Sequence, residues 1–522
     1  MKFRYEFLLI FFFCILAYVN SLKSNFVAED YYLILNNEFI RDWDNVEVLF
    51  GKKNLVSPQP IRNGARPLTV FSLMLDHKIY NYNPAGFHFS NIIFHTLNTV
   101  LVFILFCVLG LKRDYSLTAA VIYAVHPIQA EVVNIPGFRG DLLAAFFFLI
   151  GVILFIKAVE QKKYYYMPFV AGAYLCAMLS KEIAITFPVI LILYLVVFRP
   201  QMKKTIFFIC APMIICGALY MLFFWTDRYN YDIFNVVFVN LKGPMSPFTS
   251  YFTYINTIMV TIAHYAVTVF FPFRLANDYQ IRIPEYISAA SLAGIIIFIS
   301  AIWGFFKLRD RVAKFGLGFF IITYIPASNL MPLFNIVADR YMYIPLAGFS
   351  CVMLVMVQAF IMGFQKDIEK SFKIRKETAA RIPFIAGVCF IGVLFGLTFN
   401  RNYIFRDMVS LCENTVSKYP DNVRARYNLG IAYSEIGLCK ESNRELMKAM
   451  ELNRFYKIDK VWQTMGKNYQ KLNRMDKAKE CFVKLLWLNP ELLRKTFQIM
   501  SEKSLPPRMN IKQGSVSEQK NK

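Results

Sequence analysis

The chain has 522 residues, 57% of them hydrophobic, 17% aromatic and 18% charged, with a mean hydropathy of +0.41. This mix excludes a soluble globular chain, whose surface needs far more polar cover. The net charge of +23 does not indicate nucleic acid, because much of the excess sits in short loops beside apolar stretches, as the positive-inside rule expects.

The opening stretch MKFRYEFLLIFFFCILAYVNSL has the basic start and apolar run of a secretory signal. No small-x-small cleavage pattern follows it, so it is expected to stay as a first membrane helix. A bilayer-crossing helix needs roughly 20 mostly apolar residues. Runs of this kind lie near 7–21, 87–110, 116–134, 142–156, 164–179, 183–198, 205–225, 288–306, 313–333, 341–364 and 382–399. Lys2 and Arg4 place the N-terminus in the cytoplasm. Alternation then puts Lys112 and Arg113, Lys157, Lys162 and Lys163, and Arg199, Lys203 and Lys204 on that side too. If 251–272 also crossed, two later basic clusters, Lys307 to Lys314 and Lys366 to Arg381, would face outward. That segment is therefore expected to lie in the interface or to re-enter. The expected fold is all-α: about eleven spans over 1–400, large external loops at 22–86 and 226–287, and an external C-terminal domain.

From Pro420 the sequence repeats. NLGIAYSEIGLCKESNRELMKAMELN matches TMGKNYQKLNRMDKAKECFVKLLWLN, aligning Gly430 with Gly466, Tyr433 with Tyr469 and Asn453 with Asn489. The small and aromatic positions and the closing Pro490 are those of tetratricopeptide repeats, whose period is about 34; the linker around Arg454 to Ile458 accommodates the extra residues. SLCENTVSKYPDN reads as the second helix of an incomplete repeat, giving two and a half units over 401–495. An array this short is expected to lean on a partner or on the membrane domain. The tail 505–522 has little apolar content and is expected to be disordered.

Ionisable groups recur at the external turns. Glu29 and Asp30 follow the first helix, where adjacent carboxylates raise one another's pKa and could act as a general base on a hydroxyl or hold a divalent cation; a solvated acidic bump is the plainer alternative. His88, Asn91, His95 and Asn98 share one face of the second span, suited either to interhelical hydrogen bonds or to lining a substrate. HPIQAEVVNIPGFRGDLL brings His126, Glu131, Arg139 and Asp141 to the rim, with Pro127 and Gly137 shaping the turn. Ser180, Lys181 and Glu182 do so between the fifth and sixth spans, and Asp339, Arg340 and Tyr341 later. Arg139, Lys181 and Arg340 could together bind an anionic head group such as a lipid phosphate, though each singly reads as a local salt bridge. There is no Gly-rich nucleotide loop, which argues against a nucleotide-driven pump.

In order along the chain, FVAEDYYLILNN, ARPLTVFSLMLDHKIYNYNPAGFHFSNIIFHTLN, HPIQAEVVNIPGFRGDLLAAFFFL, LSKEIAITFPVILILY and ADRYMYIPLAGF resemble the membrane-domain motifs of the transmembrane and tetratricopeptide-repeat family. That family resembles part of the GT-C glycosyltransferase superfamily. The resemblance implies transfer of a sugar, mannose first, from a polyprenyl or dolichyl phosphate to a protein Ser/Thr hydroxyl at the external or lumenal face. Glu29 and Asp30 would supply the first-loop acidic motif, with Asp30 as base and a divalent cation as the one cofactor the pair could take. Arg139, Lys181 and Arg340 would bind the donor phosphate, while Arg66, His88, His95, His126, Glu131, Asp141, Glu182, Asp339 and Tyr341 would complete the substrate site. The implied partners are the lipid-linked sugar, membrane lipid and an acceptor protein held by the repeats, with no nucleic acid. The membrane would be the plasma membrane of a prokaryote or the endoplasmic reticulum of a eukaryote. Two departures stand out: Glu29 occupies a position where the family commonly has Asp, and the repeat array is short, as in a prokaryotic member. The competing readings are a non-catalytic scaffold that displays the repeats and, more distantly, a transporter, for which no inverted repeat is present.

Overall fold

The computed structural model describes residues 4–49, 66–202, 213–215, 217, 251–281, 286–330, 333, 335–357 and 376–494. Most of the span expected at 205–225, residues 226–250 and 282–285 of the loop 226–287, the basic segment before Lys376 and the tail 505–522 lie outside the described residues. Among the described residues every regular element is helical. The chain divides into two compact units, Met1–Tyr419 and Pro420–Lys522.

In the first unit, α1 (Arg4–Tyr18) leads into a first loop that folds on itself rather than trailing through solvent. A π turn (Tyr31–Leu35), a 3-10 turn (Glu38–Arg41) and α2 (Pro67–Tyr80) gather Phe26, Ile34, Ile40, Leu49, Val70, Leu73, Met74 and Phe87 into a small apolar cluster of their own. α3 (Pro84–Val108) begins with Asn83 accepting from the Ala85 N–H and with Pro84 at the first helical position, where its missing N–H costs nothing. Its 25 residues reach about 37 Å at roughly 1.5 Å per residue, enough to cross a bilayer.

The third expected span, 116–134, is not one helix. α4 (Arg113–Val125) stops at His126, and after a 3-10 turn the short α5 (Ala130–Asn134) sets off at 48° to it. The reason is local: Pro127 disfavours helical geometry at the residue before it, and His126 is extended at φ −75° and ψ 126°. A second 3-10 turn (Pro136–Phe138) then opens α6 (Arg139–Glu160). There follow α7 (Met167–Ser180), α8 (Phe187–Phe198), α9 (Tyr251–Phe270), α10 (Ala289–Lys307), α11 (Arg311–Tyr324), α12 (Pro345–Val357), α13 (Lys376–Asn402) and α14 (Met408–Lys418).

Among the described residues, six helices are long and apolar enough to cross a membrane, or seven if α4 and α5 count as one bent span. α9 is one of the six. It is a continuous 20-residue helix that by length and composition can cross, where the charge pattern expects it to lie in the interface or re-enter. α10 leaves Leu292, Ile296, Ile299, Trp303 and Phe306 exposed, a surface suited to lipid.

The boundary at Tyr419 assigns α14, expected as half a repeat, to the membrane unit. The second unit holds two helical hairpins, α15 (Val423–Glu435) with α16 (Cys439–Leu452), and α17 (Ile458–Lys471) with α18 (Met475–Leu488). Gly430 and Gly466 play one role in the two copies: a Cβ on either would sit 2.6 Å from the helix packed against it, meeting Leu446 and Phe482 respectively. Lys457, at φ +44°, turns the linker between the hairpins. Gly466→Ala should therefore lower repeat-unit stability by about 1–3 kcal/mol through overpacking. Thermal unfolding followed by a probe in that unit checks this, and an unchanged midpoint would refute the close packing.

Candidate active site

The bend at Pro127 turns 126–141 into a hub. His126, Glu131, Asn134, Arg139 and Asp141 are all buried there. Nδ1 of His126 accepts from the Ile128 N–H (3.2 Å) and Nε2 bonds the Val269 carbonyl (2.9 Å), so this histidine holds the bend against α9 rather than facing a substrate. Each of the other four side chains reaches a different part of the chain.

Arg139 is fully buried, so every donor must find an acceptor inside the protein. Nε donates to Asn91 Oδ1 (2.8 Å), Nη2 to the Phe87 carbonyl (2.9 Å), and Nη1 to the Ser72 carbonyl (3.4 Å) and the Asp76 carboxylate. Ser90 Oγ donates to the other Asp76 oxygen (2.8 Å). Arg139 thus joins the first loop, α3 and α6 and is fully occupied in doing so. Asp76 was not singled out by the sequence pattern.

Two residues earlier, the Gly137 N–H donates to Asp30 Oδ1 at 2.6 Å, while the Val27 N–H donates to Oδ2 at 2.9 Å. A Cβ on residue 137 would lie 3.1 Å from that Asp30 oxygen and 3.2 Å from the Glu29 Cβ, so glycine lets the turn approach this closely. Burial pushes the Asp30 carboxyl up to about 8, against the two amide hydrogen bonds and Arg139, which favour its charged form. Glu29 beside it is half-buried. Ala28, at φ +49°, makes the sharp turn that presents both acids.

Three ion pairs converge next to this turn. Arg66 clasps Glu182 with Nε (3.1 Å) and Nη2 (2.9 Å), Lys181 meets Asp141 at 2.5 Å, and Arg340 grips Glu131 through its main-chain N–H and Nη1, both at 2.7 Å. The Arg340 guanidinium also lies over the rings of Phe138 (4.5 Å) and Tyr341 (5.1 Å). Burial lowers the Lys181 pKa; Asp141 opposes that, while Arg66 and Arg340 are close enough to lower it further. The three cations therefore form one cluster with Tyr341, which feels Arg340, Glu131, Asp141 and Arg66. Their carboxylates come from segments 40 to 209 residues away.

Other expected site residues face elsewhere. His95 bonds the Tyr343 hydroxyl (2.9 Å) and the Ala124 carbonyl (3.0 Å), and Asn98 bonds the Leu142 carbonyl (2.9 Å) and the same hydroxyl (3.1 Å). Asn91 reaches the Val132 and Val133 carbonyls at 3.3 and 3.2 Å. These polar residues on α3 are interhelical ties. His88 is buried against the Ser24 and Asn25 backbone, under the first loop. Asp339 turns away from Arg340 to accept from Arg401 Nη2 and Tyr279 OH, both at 2.5 Å. Neither Arg401 nor Tyr279 stood out in the sequence.

The residues present do not fit a chelated metal at the acidic motif. Both Asp30 oxygens are engaged by amides, and no group of three or more His, Cys, Asp or Glu suited to a metal occurs among the described residues. Charges at the other end of the bundle pair separately: Arg113 lies 3.9 Å from Glu6, and Arg199 meets Glu160.

A polytopic helical membrane protein carrying tetratricopeptide repeats, with acids and cations gathered at one end of its bundle, is the class that fold and site define. The tetratricopeptide-repeat family model matches residues 459–492. The chain's homologues are the protein O-mannosyl-transferases of the transmembrane and tetratricopeptide-repeat family. The Caenorhabditis elegans protein O-mannosyl-transferase F38B6.6 is 25% identical over 85% of this chain and 62% of its own length. Human protein O-mannosyl-transferase TMTC3 is 24% identical over 91% and 54%, and human TMTC4 25% over 80% and 62%. The chain thus spans between half and two thirds of these relatives' lengths.

Arg139→Met should cost about 3–5 kcal/mol by stranding the Asp76 carboxylate, and the double change Arg139→Met with Asp76→Leu should recover most of it. Detergent-phase thermal unfolding tests this; a single variant no worse than a surface change would mean the node is not formed. Because the folded pKa of Asp30 is raised, its favourable contribution to stability is full below the ordinary carboxylate pKa and lost as pH rises through about 8. The stability of wild type relative to Asp30→Asn should therefore decline from pH 5 to pH 9, and a gap independent of pH would contradict the raised pKa.

Proposed function

We propose that the protein is a glycosyltransferase that moves a sugar, mannose first, from a polyprenyl or dolichyl phosphate to a Ser/Thr hydroxyl of an acceptor protein at the external or lumenal face. The observation that carries this reading is that neighbouring residues of one turn hold Asp30, through the Gly137 N–H, and meet Arg340, through the Phe138 ring, with Lys181 and Arg66 close to Arg340. The names of the homologues point to the same chemistry.

In an inverting transfer the acceptor oxygen attacks the anomeric carbon and the bond to the phosphate oxygen breaks. The proton goes to a base, and the electron pair leaves with the lipid phosphate. Asp30 suits the base, because a carboxylate with pKa near 8 takes a proton more readily than an ordinary one. Lys181 and Arg340 suit the leaving phosphate, as preorganised cations in a dry site stabilise developing charge. Arg139, with its donors committed inside, holds the turn rather than the donor. Asp30 is fully buried here, so the acceptor reaches it as the Ala28–Glu29 turn shifts, with Glu29 at the mouth. The repeats would hold the acceptor protein. One observation favours the scaffold alternative: Arg66, Lys181 and Arg340 are each already paired with a carboxylate.

Reconstituted full chain should transfer labelled mannose from a polyprenyl or dolichyl phosphate donor to membrane protein. Asp30→Asn, at equal folded amount, should lose roughly 10²–10⁴-fold in rate. The wild-type rate should climb with pH through about 8, since the base must be unprotonated. Lys181→Ala should raise the donor KM. Transfer that survives Asp30→Asn unchanged would remove Asp30 as the base; no transfer from a panel of lipid-linked donors would favour the scaffold.

A further inference from the structure

The unassigned residues with the most far-reaching contacts stand at the outer end of α13, where the chain leaves its last described span. Asn402 is 1% exposed and makes three side-chain bonds to residues of other elements. Its Nδ2 donates to the Ala17 carbonyl (2.7 Å) and to Asn20 Oδ1 (2.8 Å) at the end of the first helix, and its Oδ1 accepts from Asn134 Nδ2 (2.7 Å). Asn134 lies between Glu131, which holds Arg340, and Gly137, which holds Asp30. The preceding residue, Arg401, holds Asp339, the chain neighbour of Arg340 (2.5 Å). Four residues after Asn402, the Arg406 carbonyl accepts from the Asn25 N–H (2.8 Å), and Met408 Sδ accepts from the Ala28 N–H (3.1 Å), directly before Glu29 and Asp30.

We propose that Arg401 and Asn402 are positioning residues of the transfer reaction, a bracket that sets the two sides of the site separately: Arg401 the phosphate side, through Asp339 and Arg340, and Asn402 the base side, through Asn134 and the Gly137 turn. The proposal rests on the transferase reading above. Neither residue touches a reacting atom. Arg401 carries its charge into a site 6% exposed, where it is matched by the Asp339 carboxylate, and Tyr279 donates to the other Asp339 oxygen. Asp339 thereby stays turned from the rim while Arg340 faces it. Adjacent residues on one rigid helix end thus fix adjacent residues on a 3-10 turn (Asp339–Met342) and a hub turn, which locks the spacing between base and cations. The same stretch runs on into α14, so the segment that closes the membrane unit also braces the acid-bearing loop.

The test is steady-state transfer of labelled mannose by the full chain in liposomes, with the donor varied, for wild type, Arg401→Gln, Arg401→Lys, Asn402→Ala and Asn402→Asp, each scaled to folded amount. Arg401→Gln should raise the donor KM by about tenfold with little change in kcat, and Arg401→Lys should restore part of it. Asn402→Ala should instead lower kcat by about tenfold at unchanged donor KM, and Asn402→Asp, which keeps the acceptor for Asn134 but loses the donor to Ala17 and Asn20, should fall between. Hydrogen exchange on the same samples should show protection lost around 24–30 and 131–138 in Asn402→Ala. Variants that match wild type per folded molecule, or that change KM and kcat together regardless of which residue is altered, would overturn the bracket. If wild type transfers no sugar, the transferase reading fails first. The exchange data then judge the bracket alone: protection lost in those two segments upholds it as a structural device, and unchanged protection rejects it.

Discussion

A guanidinium with no access to water must find all its acceptors inside the protein, and one end of this bundle is organised around that demand at Arg139. The Ser72 and Phe87 carbonyls, the Asn91 amide oxygen and the Asp76 carboxylate supply them, and they come from α2 and α3. Removing any one leaves a buried polar group without compensation, which costs far more than the net gain of a single hydrogen bond. The first loop is thereby pinned to the membrane helices, and this brings its acidic motif to the Gly137 turn.

The break at Pro127 makes that arrangement reachable. A continuous helix over 116–134 would spread Glu131, Asn134 and the turn beyond them around a cylinder in lipid. The bend instead lays this segment across the bundle end, where its backbone and side chains are satisfied by protein, the condition for irregular chain at membrane depth. From there Glu131, Gly137 and Asp141 each contact a separate chain segment: the 3-10 turn bearing Arg340, the first loop, and the α7 end bearing Lys181. The result is an electrically balanced cluster in which acids and cations from five parts of the sequence are held at fixed spacing. A phosphate entering it would have to compete with carboxylates already in place, so any binding depends on geometry as much as on charge.

The repeats follow a simpler logic. Each hairpin packs through a glycine on its first helix, and the side chain filling that gap is Leu446 in one copy and Phe482 in the other. Polar groups tie the two hairpins: Ser434 donates to Asn468 Oδ1 (2.6 Å), and Asn468 Nδ2 donates to Ser442 and Asn443, both at 2.8 Å. A periodic sequence carries its own contact map, because each unit meets only its neighbours.

What the sequence determined by itself was set by short-range or averaged properties. Hydropathy reports the solvent of each segment, so the membrane class and the helical fold were legible, as was the repeat unit from its 36-residue spacing. Proline and glycine report local dihedral limits, so a shaped turn at Pro127 and Gly137 was legible too, although not that it would break the span. That charged residues gather at one end of the bundle was also readable, because motifs at the same end of successive helices must lie near one another. Only the tertiary structure decided what each of them does. Arg139 and Arg340 look alike in sequence, yet one is consumed inside and the other stands at the cluster; Asp339 and Arg340 are neighbours that face opposite ways. The polar face of α3 was equally suited to substrate or to helix ties, and the structure shows ties for Asn91, His95 and Asn98. Asp76, Arg401 and Asn402 carried no local signature, because their partners lie 63, 62 and 268 residues away. Burial and pairing are properties of the assembled neighbours, and no window of sequence contains them.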